Sequence, residues 1–295
     1  SLYLESFKQW KASKYQNISV KDAIKPWRWV FNNCPASRQS IYLDGIKITE
    51  WRIKNAQSDE EKEKLVDTLM MVYDRRIKYF NKEGYVLGRK GVDLYSYRPQ
   101  AYEEIYEILG RSVDLEGDKS YPDVLVFYMR AAKKMIDEGK APEEVIFDIY
   151  DKCSKIIDHN LKKYADNERK KTNWKNVKGN IELTFEPYAT CEALIKIYGK
   201  KYKETPEDVE LLKKITRKLD KKKCTEDQLY FDATLSLYEL DPNAESAFLI
   251  GKMLMKKDEY LEATKYLKEG GKLEDTEDRA DSYLLLASAY KQLKN

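Results

Sequence analysis

The side chains that most often carry chemistry are few in this chain, and their spacing does not suit it. There is one histidine, His159, within Ile156-Ile157-Asp158-His159-Asn160 on a helical pattern. With no second histidine and no paired nucleophile, it reads as a helix-surface residue rather than a general base. Leu87-Gly88-Arg89-Lys90-Gly91 has two glycines but lacks the strand–loop–helix setting that lets backbone N–H groups cradle a phosphate, so Gly88 is expected to serve helix packing. Carboxylates abound, as in Glu103-Glu104 and Asp208-x-Glu210, yet they fall at solvent-facing phases or in first turns, where the helix dipole favours negative charge. A glycosidase pair would have to converge in a cleft, which spacing alone does not establish. The four cysteines (Cys34, Cys153, Cys191, Cys224) are too few for a disulfide scaffold, and no CxxC or Cys/His cluster offers zinc ligands. The expectation is a non-enzymatic chain with no cofactor and no metal.

What would position these side chains is a series of amphipathic helices. Asp241-Pro242-Asn243 opens a helix carrying Ala247-x2-Ile250-Gly251-x2-Leu254, followed by Ala263-x3-Leu267 and then Tyr283-x2-Leu286-Ala287-x2-Tyr290. A small residue (Gly251, Ala287) sits where a partner helix crosses closely, and apolar residues three or four positions away fill the gap on either side. Earlier hairpins follow the same logic. Helices are expected over 2–14 and 20–33, the latter with Ala23-x3-Trp27 and ended by Pro35. Ile41, Gly45 and Ile48 repeat the first-helix pattern, with Asp44 in an apolar place, and Ser58-x2-Glu61 caps a helix over 60–80. Further helices are expected over 83–115, broken at Arg98-Pro99, and over 122–138 and 142–164, with Pro122 and Pro142 at first helical positions. Asp166 to Asn173 is the most polar break. It divides the chain into hairpins over 1–165, a polar break over 166–173, and hairpins over 174–295, the last one incomplete. Helices then run over 174–184, 188–202 and 206–221. Thr225-x2-Gln228 caps the one ending at Leu240. The apolar last helix, with Leu285, Leu286, Ala289 and Leu293, suggests that the native chain continues.

The 295 residues include 23 Tyr, 8 Phe and 5 Trp, enough large apolar surface to offset a charged fraction of 36% and argue against disorder. Only 12 Gly and 8 Pro argue against an all-β fold. Net charge is +3, but residues 152–224 hold 20 Lys/Arg against 11 Asp/Glu, a basic middle that could attract an acidic polymer or nucleic acid. No apolar run is long enough to span a membrane.

These residues resemble the tetratricopeptide repeat superfamily, whose spacing is W-x2-L-G-x2-Y, then A-x3-F, then P. More narrowly, Pro26-Trp27-Arg28-Trp29-Val30-Phe31-Asn32-Asn33-Cys34-Pro35, Leu87 to Gly91, Cys191 to Tyr198 and Leu211-Leu212-Lys213-Lys214-Ile215 resemble a group of uncharacterised, usually exported bacterial tetratricopeptide proteins. The resemblance covers essentially the whole chain. It implies an all-α, right-handed superhelix of about seven helical hairpins and a role in protein binding or scaffolding. It also implies an exported protein whose leader is absent from a chain opening at Ser1 without Met.

In such a solenoid the first helix of each hairpin lines the concave side. The expected partner-binding residues are Tyr42, Ile46 and Thr49; Tyr85, Arg89 and Val92; Phe248, Lys252 and Met255; and Leu284, Ser288 and Lys291. A mixed aromatic and aliphatic lining suits a peptide or protein segment. The alternative is electrostatic binding through 152–224. A disulfide is expected between Cys191 and Cys224. The first lies near the start of one helix and the second just past the end of its antiparallel neighbour, a geometry that permits Cα atoms within bonding reach.

Overall fold

The computed structural model of the protein describes residues 2–294, and every regular element among them is a helix. The chain divides into two compact units, Ser1–Phe185 and Glu186–Asn295. In the first, α1 (Leu2–Ala12) pairs with α2 (Val20–Asn33), α3 (Ser40–Lys54) with α4 (Asp59–Phe80), α5 (Glu83–Tyr97) with α6 (Tyr102–Glu116), and α7 (Pro122–Asp137) with α8 (Glu144–Lys163). The last helix of this unit, α9 (Glu168–Phe185), packs on both α7 and α8. Because α5 also packs on α7, the first helices of successive hairpins lie side by side, which is how a repeat array buries faces that one hairpin leaves open. In the second unit α10 (Cys191–Glu204), α11 (Val209–Lys221), α12 (Gln228–Leu240), α13 (Ala244–Lys256), α14 (Tyr260–Gly270) and α15 (Thr276–Gln292) each pack on the next in chain order.

The close crossings fall where the small residues predict them. A Cβ on Gly45 would lie 2.5 Å from Cζ2 of Trp27, so the bare backbone of α3 is the seat of that indole. Trp27 is fully buried, and its Nε1 donates to the Ile41 carbonyl at 2.8 Å. Gly251 of α13 meets Leu267 of α14 in the same way, with a Cβ only 2.6 Å from Cδ2. Asp44, polar where the pattern wants an apolar residue, accepts a hydrogen bond of 3.1 Å from the Tyr3 hydroxyl, and burial holds its carboxyl above the ordinary value.

Helix starts show both agreement and correction. Ser58 Oγ accepts from Glu61 N, Asp208 from Leu211 N, and Asn243 forms a reciprocal box with Ser246. The cap of α12 is Asp227 rather than Thr225, because the carboxylate sits directly before the first helical residue. Pro122 opens α7, whereas Pro142 lies two residues before α8. The polar break at 166–173 runs straight into α9, and just before that helix Asn167 Oδ1 accepts from Lys170 N. Its Glu, Arg and Lys are good helix formers, so polarity there marks exposure. The division between units falls later, after Phe185. Likewise α15 begins at Thr276, where Asp275 caps two N–H groups, not at Tyr283.

Cys191 and Cys224 are joined, with Cα atoms 5.5 Å apart and sulfurs at 2.01 Å. The chain folds back after α11 through Lys223 in a left-handed conformation, φ +58°, and Cys224 N donates to the Leu219 carbonyl. That turn brings Cys224 back to Cys191 at the start of α10. Cys34 and Cys153 are free thiols, and burial raises the pKa of Cys153 to about 12.

Candidate functional site

The expected concave-face residues separate into three kinds of place. Tyr42, Ile46, Thr49 and Phe248 are buried, and no partner reaches them first. The Tyr42 ring lies edge-on to Phe31 and Phe80, its hydroxyl donating to the Pro35 carbonyl, while Thr49 Oγ1 donates to the Gly45 carbonyl. Phe248 belongs to the cluster of Ile250, Leu254, Ala263 and Leu267, and Met255 packs on its edge. The reason is that repeat phase assumes one open face per first helix. α3 packs on α2 and α4 and is also reached from α1 through Tyr3, and Phe248 sits against Gly270 of α14. Lys252 is half-buried and ion-paired to Asp220 through both carboxylate oxygens, at 2.7 and 2.9 Å. Leu284, Ser288 and Lys291 are exposed on α15.

Tyr85, Arg89 and Val92 are half-buried on α5, and the structure joins two of them to α7. Arg89 makes a two-pronged pair with Asp123, Nη1 to Oδ2 at 2.9 Å and Nη2 to Oδ1 at 2.6 Å. Burial works against the Arg89 charge, but the Asp123 bonds outweigh it and hold the guanidinium above its ordinary value. Its plane lies over Tyr121, 5.0 Å from the ring centroid, and Tyr121 meets Tyr85 at 5.5 Å. Behind this pair, the Tyr73 hydroxyl donates to Asp93 at 2.5 Å, and burial pushes the Asp93 carboxyl up.

From Tyr121 the face continues into a furrow of about 460 Å³ between α7 and α9. Val126, Phe127 and Val177 give it apolar walls, and Asn173, Asn176 and Asn180 line α9 at one helical phase. Tyr95 of α5 packs on Phe127 at 4.5 Å, so α5, α7 and α9 contribute to one surface. Asn180 is engaged: its Oδ1 accepts from Arg130 at 3.4 Å and its Nδ2 donates to the Asn176 carbonyl. The side-chain amides of Asn173 and Asn176 have no partner among the described residues. The spacing 173, 176, 180 was visible in the sequence, but nothing there says that α9 lies against α7.

The glycines of Leu87 to Gly91 serve packing: Gly88 lies against Ser112 and Val124, and Gly91 against Leu109. His159 Nδ1 is 3.4 Å from Asp118 on the surface. Part of the charge of the basic middle is paired, Lys152 with Asp114, Lys178 with Asp158, Lys213 with Asp241, Arg217 with Glu245 and Lys222 with Glu186. Among the described residues no helix is long and apolar enough to cross a membrane.

No family model and no curated protein sequence matches the chain. Among solved structures it is similar to a tetratricopeptide repeat protein from Parabacteroides merdae ATCC 43184, at 13% identity and a TM-score of 0.40 over 98% of this chain and 97% of that one. It is also similar to a circular tandem repeat protein with novel repeat topology, at 12% identity and a TM-score of 0.23 over 99% of this chain and 68% of that one. The described residues themselves show an all-helical chain of packed helix pairs.

Proposed function

We propose that the protein is a non-catalytic scaffold that holds an extended segment of a protein partner along the α5–α7–α9 face of the Ser1–Phe185 unit. The observation that carries this reading is the furrow between α7 and α9, where apolar walls lie beside two unengaged amides. An asparagine amide both donates and accepts, so it can pair with a peptide backbone of any sequence, while Val126 and Phe127 take an apolar side chain. Tyr85, Arg89 and Val92 extend that surface on α5. On the second unit, the exposed row Leu284, Ser288 and Lys291 is the corresponding candidate. The electrostatic alternative draws on the cations of 152–224, part of which are already paired, and no furrow with apolar walls favours it. The Cys191–Cys224 bond supports work in an oxidising compartment, where such bonds persist.

Selection from a random peptide library on the full chain tests the reading. Selected peptides should bind Phe127→Ala/Asn176→Ala at least about tenfold more weakly, a loss of about 1.4 kcal/mol. Equal binding to the variant, with circular dichroism unchanged, would remove the furrow as the site. A steep log–log loss of binding with salt would instead favour the charged region.

A further inference from the structure

The first unit holds a larger cavity, about 550 Å³, bounded by the turn before α7, the end of α8 and the first turns of α9. Ser120 forms part of its wall and is only 4% exposed, yet its Oγ makes no hydrogen bond. A buried hydroxyl without a partner is uncommon, because desolvation is then uncompensated. Lys119, Lys163 and Lys170 also line the cavity, and none has a carboxylate within ion-pair distance among the described residues. Lys163 and Lys170 both stand against the Tyr164 ring, 5.5 and 4.4 Å from its centroid, so two cations border one side chain of the wall. One acid, Asp118, stands in the wall and faces His159 at 3.4 Å, while Asp123, beside the wall, is taken by Arg89. The start of α7 adds little to this charge: Pro122 has no N–H, and Asp123 Oδ1 accepts from Val124 N at 3.0 Å. The Asn173 amide adds a further free donor.

Donors and positive charge thus converge from three segments, the turn before α7, the end of α8 and the first turns of α9, and the three lysines among them have no anionic partner. Ammonium groups act as point charges that suit a tetrahedral oxyanion. The planar fork of arginine that favours carboxylates is absent from the wall. We propose that this cavity binds a phosphate or sulfate group, either as the free ion or as the ester of a small sugar. The volume is in the range of small-ligand pockets and exceeds what one ion fills. The proposal stands apart from the peptide reading: although Tyr121 and Asn173 border both spaces, ion binding is measured with no peptide present.

The test is calorimetric titration and thermal unfolding of the full chain with inorganic phosphate, inorganic sulfate and glucose 6-phosphate, against chloride at matched ionic strength. Concentrations stay below roughly 10 mM, where general stabilisation by these ions is small. Saturable binding is expected, weakened at least about tenfold in Lys163→Gln/Lys170→Gln and about threefold in Ser120→Ala, with the ion-free Tm of each variant close to that of the parent. Tighter binding of glucose 6-phosphate than of inorganic phosphate assigns the cavity to an ester, and the reverse assigns it to the free ion. A response no different from chloride, or one of equal size in both variants, overturns the proposal and leaves the cavity to water.

Discussion

In Ser1–Phe185 the helices are joined by large rings and by polar side chains taken part-way inside. Trp27 lies on Gly45, Tyr42 meets Phe31 and Phe80, Tyr73 bonds Asp93, and Lys90, 8% exposed, reaches Asp74. In Glu186–Asn295 the contacts among α13, α14 and α15 are mostly aliphatic, and a covalent bond ties the start of α10 to the turn after α11. Earlier in that unit Tyr198 and Tyr230 are buried rings too, the latter with its hydroxyl on Asp220, so the two ways of stabilising one hairpin plan separate most clearly at α13–α15. Rings with polar tips leave furrows and unengaged donors between helices. An aliphatic interior with a crosslink does not require them. The furrow and the oxyanion cavity both lie in the first unit.

The contrast can be broken most forcefully at Trp27. Trp27→Ala removes a fully buried indole and its bond to Ile41, and should cost about 3–5 kcal/mol in denaturant unfolding. A loss below about 1 kcal/mol would mean that the ring-based interior is not what holds the first unit. Next in size is the crosslink. Cys191→Ser/Cys224→Ser closes no loop across a separation of 33 residues and should lose about 3–4 kcal/mol in the chain-entropy model. Hydrogen exchange should show that loss within residues 186–295, and unchanged protection there would refute the contrast. Asp93→Asn gives a smaller effect of opposite sign. Burial holds the folded carboxyl above its ordinary value of 3.8, so protonation is easier folded than unfolded. Its contribution is fully present below that ordinary value and is lost as pH rises through the folded one. The amide, a copy of the protonated form, should be more stable than the parent at pH 7 and flatten the fall of Tm over that window. The same pH slope in both proteins would argue against it. Smallest is Arg217→Ala: its pair with Glu245 is 62% and 42% exposed, and the loss should be only about 0.2–1 kcal/mol. Arg89→Ala, with its guanidinium side chain 26% exposed, should cost more, and the reverse order would reverse the comparison of the two units.

The helices were legible because their signals are local. Ser58, Asp208 and Asn243 mark starts within a few residues, and the pairing of small with large residues foretold Gly251 against Leu267. The approach of Cys191 to Cys224 was also legible, since it follows from two antiparallel helices and a short turn. Exposure was not. Whether Tyr42 or Phe248 faces a groove depends on which neighbours cover it, and those neighbours are set by packing angles that no local pattern encodes. The Arg89–Asp123 pair spans 34 positions, and the hydroxyl of Ser120 becomes unusual only once three helices surround it. The polar run at 166–173 was ambiguous for a related reason: exposed helix and linker share a composition.

The bond between Cys191 and Cys224 also sets a mechanical limit. A chain pulled from its two ends lengthens by about 3.3–3.6 Å for each residue released. With the sulfurs joined, the tension passes through them, and the 33-residue span behind the bond stays slack. The oxidised molecule is thus about 110 Å shorter at full extension than the reduced one, and α11, within the closed span, carries no load as the helices around it are drawn out.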